Sequence, residues 1–545
     1  MSISCTRAST TDGSWCDRLA SSAVSTALSV LALHEVEPAV YRDEIEAGLL
    51  WLHDHQRADG GWSDADEDPP SSKSGTAFAI AAMHAIDPDR SAGRIRQGMD
   101  FLEAAGGVHR IPGMRGPGPK SWPAAAAIAW ALVGLRQFHE QPRQPIEVML
   151  LPQVLRNKVS VALPGVLGIG LMQTRLLPAG RLRRFLWRFA EPRALAWLRD
   201  VQGENGGIEE CPMLGALILI ALHRAGMAED VQKGCLSYLL ETRRPDGSWA
   251  VDRDLEISVT RYAVTALAEC VDVASEPRLR RTRDWLLDAQ WRKPFTPLRI
   301  PSGGWGWAMP SGWPEPDDTA GVLEALAFLD RGRLDLPARV GLRWLTVRQD
   351  SRGSWCGWVR NASILNDKPC PAVTSQVVTA MHRYGLTDLP GSPIRRALDY
   401  VATVQTPEGA FPSLWFRKHV FGTARVLETY ALLGLAHTPS ARRAHRWLLD
   451  NQRDDGSWPA GADHTEGTAE ETAWALYALL ASGLPPSDPR AVRGIQWLAT
   501  AQHGGTWRPS PVGLYFDDLR YNSDLIAHTF ALRALGSWLR RTRVD

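Results

Sequence analysis

Apolar residues recur at three- and four-residue spacing through long stretches of the chain, and these stretches come in pairs. ARRAHRWLLDNQ (441–452) is an amphipathic run of this kind, and TAEETAWALYALLASG (468–483) follows it with a closing glycine. The Asp-Gly between the two predicts a turn, and an Asp or Thr after it predicts a helix cap. Each unit therefore reads as helix, turn, helix, a pattern that excludes a propeller of strands.

The turn segments align. WLHDHQRADGGW ends at Trp62, YLLETRRPDGSW at Trp249, WLTVRQDSRGSW at Trp355, WLLDNQRDDGSW at Trp458 and WLATAQHGGTW at Trp507. Weaker copies end at Ile208 (LAWLRDVQGENGGI) and Phe411 (YVATVQTPEGAF), and a stretched one runs from WLLDAQ to Trp305. From Trp249 the endpoints are separated by 56, 50, 56, 47 and 49 residues, a period that signals stacked supersecondary units. The Gln ending each first helix is expected to bond neighbouring backbone, with the Trp stacked nearby, tying adjacent units together.

Composition narrows the function classes. A chain of 545 residues, 44% of them hydrophobic, can bury the cores of two or three domains. Lys plus Arg number 61 against 60 Asp plus Glu, so a formal charge of +1 gives no electrostatic reason to expect nucleic acid as a partner. The seven cysteines (5, 16, 211, 235, 270, 356 and 370) form no CxxC or Cys/His set, which indicates neither a disulfide framework nor a structural metal and fits a reducing cytosol. The N-terminus MSISCTRASTTDGSW lacks the apolar core of a secretory signal, and no stretch reaches the roughly 18 apolar residues of a spanning helix. A cytoplasmic location is expected, the oligomeric state being left open. Tryptophan is the outlier, 23 residues against 9 tyrosines, because so many sit at the repeat endpoints.

These Gln-to-Trp repeats resemble the QW motifs of squalene-hopene cyclases and their relatives, over nearly the whole chain. PIEVMLLP (145–152), GGWGWAMPSGWPEPDDTAGVLEAL (303–326), FGTARVL (421–427) and GLYFDDLRY (513–521) resemble further blocks of that family. The resemblance implies an all-α fold of two α/α barrels with a cavity between them. Residues 1–20 plus 255–545 would form the barrel that carries the acid, with 21–254 inserted as the second barrel. It also implies a terpene cyclase that starts a carbocation cascade by protonating a linear isoprenoid, squalene-like or shorter. A non-catalytic isoprenoid-binding relative remains the alternative. The family's acid motif is Asp-x-Asp-Asp followed by Thr-Ala, and here Glu315-Pro316-Asp317-Asp318-Thr319-Ala320 stands in its place. The proton donor then falls on Asp317, with Asp318 and Glu315 beside it. Carboxylates packed together cannot all ionise, so one keeps its proton at neutral pH. A capping role for the same residues is the competing reading. The acidic run Asp64-Ala65-Asp66-Glu67 reads as a solvated loop.

Where squalene-hopene cyclases carry a His beside the donor, this chain offers Gln376, so the acid is expected to lack a cationic partner. A carbocation needs a dry chamber with electron-rich walls, and Trp305, Trp307, Trp313, Trp415, Phe416, Phe421, Tyr515, Phe516 and Tyr521 are the candidate lining. No cofactor is expected, with magnesium entering only alongside a diphosphate substrate. Asp-x-Cys, the zinc signature of protein prenyltransferases, does not occur, and Asp517-Asp518-Leu519-Arg520-Tyr521 lacks the later acid of a magnesium-binding motif. Residues 159–193 pair an uncharged run with RLRRFLWRFAEPR, which reads either as monotopic membrane contact at the inner face or as an outer barrel helix.

Overall fold

A computed structural model describes residues 11–543 except 18, 66–70, 108–120, 157–161, 311, 364–366, 461–465 and 514–519. In the N-terminal half the main helices are α1 (Ala23–Val36), α2 (Arg42–Asp54), α3 (Lys73–Ile86), α4 (Pro88–Ala104), α5 (Ser121–Leu132), α6 (Leu163–Leu176), α7 (Arg181–Val201), α8 (Pro212–Ala225) and α9 (Glu229–Thr242). The C-terminal half contributes α10 (Glu256–Leu267), α11 (Leu279–Asp288), α12 (Pro316–Leu329), α13 (Leu336–Arg348), α14 (Pro371–Arg383) and α15 (Pro393–Thr403). It continues with α16 (Val420–Leu432), α17 (Pro439–Asp450), α18 (Ala469–Ala481), α19 (Pro489–Thr500) and α20 (Asp524–Thr542).

Two kinds of helix alternate, and composition decides which is which. Outer helices such as α17, PSARRAHRWLLD, bury only a stripe, Ala441, Ala444 and Leu448. Inner helices such as α18, AEETAWALYALLA, are buried on nearly every side and use alanine to let neighbours approach. The outer helices α13, α15, α17 and α19 start on Asp335, Ser392, Thr438 and Asp488, whose side chains accept a backbone N–H from the first turn, each followed by a proline in that turn.

The repeat residues hold each unit shut by hydrogen bonds. Gln349 Nε2 donates to the Gly353 carbonyl at 2.8 Å, closing its own turn, and to the Pro393 carbonyl at 2.8 Å on the next outer helix. Gln452 does the same with Gly456 and Arg490, and Gln56 with Gly60 and Arg94. The tryptophan does more than stack. The Trp355 indole donates to the Leu345 carbonyl at 2.8 Å, and those of Trp62, Trp249 and Trp458 reach the carbonyl ten residues back in the same way. Each bond satisfies a carbonyl left open at an outer-helix C-terminus. A threonine in the first turns of the inner helix then accepts the N–H of the endpoint residue: Thr319 from Trp305, Thr374 from Trp355, Thr423 from Phe411 and Thr472 from Trp458. This threonine sets a common register for the inner helices.

In the C-terminal half α10, α12, α14, α16, α18 and α20 each pack against the next, and α20 returns to α10, so among the described residues six inner helices close a ring. The first unit of that ring borrows its turn from the far end of the chain. Trp15, in Asp12-Gly13-Ser14-Trp15, donates its N–H to Thr260 at 2.8 Å, and Thr282 bonds the Gly13 carbonyl at 2.7 Å. In the N-terminal half α1 packs on α3 and α8, α3 on α5, and α8 on α6. The halves meet where the Trp197 indole donates to the Pro297 carbonyl at 3.2 Å and the Gln153 amide to the Thr296 carbonyl at 2.8 Å.

Candidate active site

The acid segment sits at the N-terminus of α12, with Glu315 at the cap position and Asp317 and Asp318 in the first turn, just ahead of the register threonine Thr319. Proline at 316 fixes the entry, and the first-turn amides favour negative charge. All three carboxyls are buried, and oxygens of the three lie within 4.8 Å of one another.

Their partner comes from α10. Arg261 donates Nε to Asp318 Oδ1 at 2.6 Å and Nη2 to Asp317 Oδ2 at 2.7 Å, so one guanidinium spans both aspartates. Its carbon lies 4.2 Å from the Tyr262 ring centroid. Ser258, one turn earlier on α10, donates to both Asp318 oxygens at 2.9 and 3.0 Å. The expectation of an acid without a cation is therefore overturned: the cation stands on the neighbouring inner helix. Gln376 is close by on α14, but its amide donates to the main-chain carbonyl of Asp317 at 2.9 Å rather than to a carboxyl. The three carboxylates are near enough together to suggest a metal site, yet the guanidinium already bonds two of them, so the donor set does not suit a metal ion.

Burial pushes the Asp317 carboxyl above the usual aspartate range, against the pull of Arg261. Burial raises Glu315 well above its ordinary value, and the nearby Asp318 and Asp317 charges add to it; its Oε2 has no hydrogen-bond partner among the described residues. Of the two aspartates Asp317 is the less enclosed, its side chain 10% exposed against 2% for Asp318.

Aromatic rings continue outward from this cluster. Tyr262 meets Phe530 edge-on at 5.0 Å, Phe416 stacks on Phe421 at 3.9 Å, and Trp474 meets Phe421 and Phe530 at 5.0 and 5.2 Å. A second row runs Trp307, Trp358, Trp415, with centroids 6.5 and 5.1 Å apart. Tyr521, Glu209 and Asp252 are partly buried, and desolvation pushes each well above its ordinary pKa.

Not every candidate joins. The Trp305 indole bonds the Leu286 carbonyl at 2.6 Å and packs toward Gly341 of α13, so it serves the repeat and not the chamber wall. Trp313 is fully buried and stacked on Phe295 at 4.9 Å. Tyr515 and Phe516 lie outside the described residues. Asp64 is no solvated loop residue: it is 1% exposed and accepts from Ser22 Oγ at 2.7 Å and the Val24 N–H at 2.9 Å, capping α1. Arg261, Ser258, Tyr262, Trp358, Trp474, Phe530, Glu209 and Asp252 escaped the sequence reading. Arg261 left one signal, a charge inside the buried helix EISVTRYAVTAL, where it must be paired.

Further along the inner face of α12, Glu324 accepts from Arg425 at 2.9 Å and from Arg383 and Arg533, while Glu428 pairs with Arg425 and, at 2.8 Å, with Arg533. Burial works against the Glu324 charge, but Arg425, Arg383 and Arg533 hold its carboxyl far below the usual range.

Across the ring, α18 carries Glu470 and Glu471 in the same register before Thr472 as Asp317 and Asp318 before Thr319. Burial and the Glu471 charge push Glu470 up to about 8, although Ser510 donates to it twice, at 2.8 and 2.7 Å. A carboxyl raised on folding binds its proton more tightly in the folded chain, so its stabilising contribution, full below its unfolded pKa, is lost as pH rises toward 8. Glu470→Gln should therefore flatten the fall in melting temperature between about pH 5 and 8.

A buried cluster of carboxylic acids beside aromatic rings, in a fold of stacked helical repeats, fits a protonation-initiated terpene cyclase. Family comparisons agree: the squalene-hopene cyclase C-terminal domain family matches residues 256–539 and the N-terminal domain family residues 4–161. The chain belongs to the squalene-hopene cyclase family. It is 28% identical to the squalene–hopene cyclase of Alicyclobacillus acidocaldarius over 97% of its own length and 94% of that protein's. Identity to the squalene–hopene cyclase of Zymomonas mobilis is 25%, over 91% and 88%. The solved structure of ent-copalyl diphosphate synthase from Streptomyces platensis has a similar fold, with a TM-score of 0.63 at 20% identity across 96% of each chain.

Proposed function

We propose that Asp317 donates the proton that starts cyclisation of a linear isoprenoid, and that residues 1–20 plus 255–545 and residues 21–254 are the two barrels that enclose it. Three buried carboxyls within one cluster carry this reading, because they cannot all be ionised. The Asp317 O–H bond breaks as the alkene π pair forms a C–H bond, leaving a tertiary cation on the adjacent carbon and a carboxylate on Asp317. Faces of Trp307, Trp358, Phe421 and Phe530 then stabilise the cation as it moves along the chain. Water is kept out by the surrounding apolar helices, so the cation closes rings before it is captured. No metal acts at the acid, where Arg261 supplies the positive charge.

The relatives include a squalene–hopene cyclase and a copalyl diphosphate synthase, so both squalene and shorter prenyl diphosphates are candidate substrates. Purified protein incubated with squalene, geranylgeranyl diphosphate and farnesyl diphosphate should give a cyclic hydrocarbon or cyclic diphosphate from at least one. Loss of that product with EDTA would assign magnesium to the diphosphate. Absence of any cyclic product from all three would contradict the reading.

The exposed face of α7 supports access from a lipid surface. Leu182, Phe185 and Phe189 are 75%, 53% and 50% exposed on one face, and Arg181, Arg184 and Arg188 lie beside them, also exposed, while Trp187 points inward to Glu147. Among the described residues no helix is long and apolar enough to cross a membrane. Replacing all three apolar residues with serine should lower binding to anionic vesicles about tenfold or more in a flotation assay, with the melting temperature unchanged.

A further inference from the structure

Arg261 hydrogen-bonds both aspartates of the acid cluster, and the surrounding packing is built to receive it. A Cβ placed on Gly321, one turn along α12 from Asp317, would fall inside contact distance of the Arg261 Cδ and two of its guanidinium nitrogens. The glycine therefore opens the space the guanidinium occupies. On its far side the guanidinium lies over the Tyr262 ring and bonds the Tyr262 hydroxyl at 3.2 Å. With helix, ring and two carboxylates around it, the side chain has one place to be.

We propose that Arg261 is the positioning residue that sets the strength of the acid: it fixes Asp317 against Asp318 and stabilises the Asp317 carboxylate left when the proton departs, without itself carrying that proton. Two opposing demands meet at Asp317, which must hold its proton at rest and yet release it to an alkene, a very weak base. Desolvation supplies the first. A permanent cation bonded to Oδ2 supplies the second, since its attraction grows as charge develops on the carboxyl. A guanidinium stays protonated throughout the working range, so it cannot serve as donor, acceptor or relay. The single bond it makes to Asp317 leaves the other carboxyl oxygen to carry the proton toward the substrate. The other ionisable groups around the pair are Glu315 and Asp318 on α12, Tyr262 on α10, Arg425 on α16, Cys370 at the start of α14, and Tyr521. No histidine bonds a carboxyl of the cluster among the described residues, so nothing within it is set to titrate as an imidazole would.

The proposal rests on Asp317 as the acid, and the two are separable by experiment. With the full-length chain and whichever of squalene or geranylgeranyl diphosphate is turned over, Arg261→Gln should lower kcat by about 10²–10³ with KM within about threefold. Arg261→Lys should recover at least about tenfold of that loss. Gly321→Ala displaces the guanidinium without deleting it; it should lose activity like Arg261→Gln and also lose stability, because a buried ion pair is disturbed, so activity is read on protein that circular dichroism shows to be folded. Arg261→His should acquire a new alkaline limb, activity falling as pH rises through about 6.5, where the wild type stays level. A measurement without turnover stands beside these: infrared titration of the protonated carboxyl, identified by its loss in Asp317→Asn, should show a higher pKa in Arg261→Gln than in wild type. Unchanged kcat in both Arg261→Gln and Gly321→Ala, a wild-type pH profile in Arg261→His, or an unchanged carboxyl pKa would each overturn the proposal. If Asp317→Asn is inactive while Arg261→Gln is unimpaired, only this inference fails; an active Asp317→Asn removes the acid assignment beneath it.

Discussion

Asp317→Asn is expected to lower kcat by at least about 10³, at the upper end of what a positioned general acid contributes, while the melting temperature stays within about 3 °C of wild type. The amide matches the carboxylic acid in size and, like the protonated acid, carries no charge, so the buried cluster keeps its packing. What disappears is the only acidic proton on the least enclosed aspartate. Glu315 cannot substitute easily. Its carboxyl is buried at the cap position of α12, with desolvation and two neighbouring aspartates holding the proton on it. Product formation by gas chromatography, with circular dichroism to confirm folding, separates a chemical loss from a structural one.

The largest effect on stability is expected at Arg425. Arg425 and Glu324 are each 2% exposed and joined at 2.9 Å, with Arg533 and Glu428 completing the network inside the ring. Arg425→Met leaves two buried carboxylates short of charge and should destabilise the chain by about 3–5 kcal/mol, the usual consequence of removing one partner of a buried pair. Adding Glu324→Gln to that variant should restore part of the loss, because it removes a charge that has become unpaired. Guanidinium unfolding curves of the single and double variants measure both terms. A single variant as stable as wild type would mean the network contributes no net stabilisation.

Sequence and structure agree most closely where interactions are local. Gln349, Trp355 and Thr374 lie within 25 residues of one another and recur with the period, so the helix-turn-helix unit is legible from spacing alone. The same Asp-Gly-Ser-Trp motif at residues 12–15 is not legible as part of the repeat, because the threonine it binds is 245 residues away. Asp317 and Asp318 were legible as a motif. Arg261 was not, since its pairing depends on two inner helices lying side by side in the ring, a relation no periodicity expresses. Gln376 was expected to stand beside the donor's carboxyl, but the atom its amide reaches, a main-chain carbonyl, is decided by rotamer and helix phase. Asp64 misled for the opposite reason: its polar neighbours suggested solvent, whereas the start of α1 folds over it and takes its carboxylate as a cap.

The central claim is that cyclisation begins with a proton delivered by the protein. Cyclisation run in deuterium oxide, with the chain fully exchanged beforehand, tests it most directly. The account predicts a cyclic product carrying one non-exchangeable deuterium at the carbon where the first ring is initiated, and no such product from Asp317→Asn. A cyclic product free of deuterium, or one formed with release of diphosphate, would contradict it.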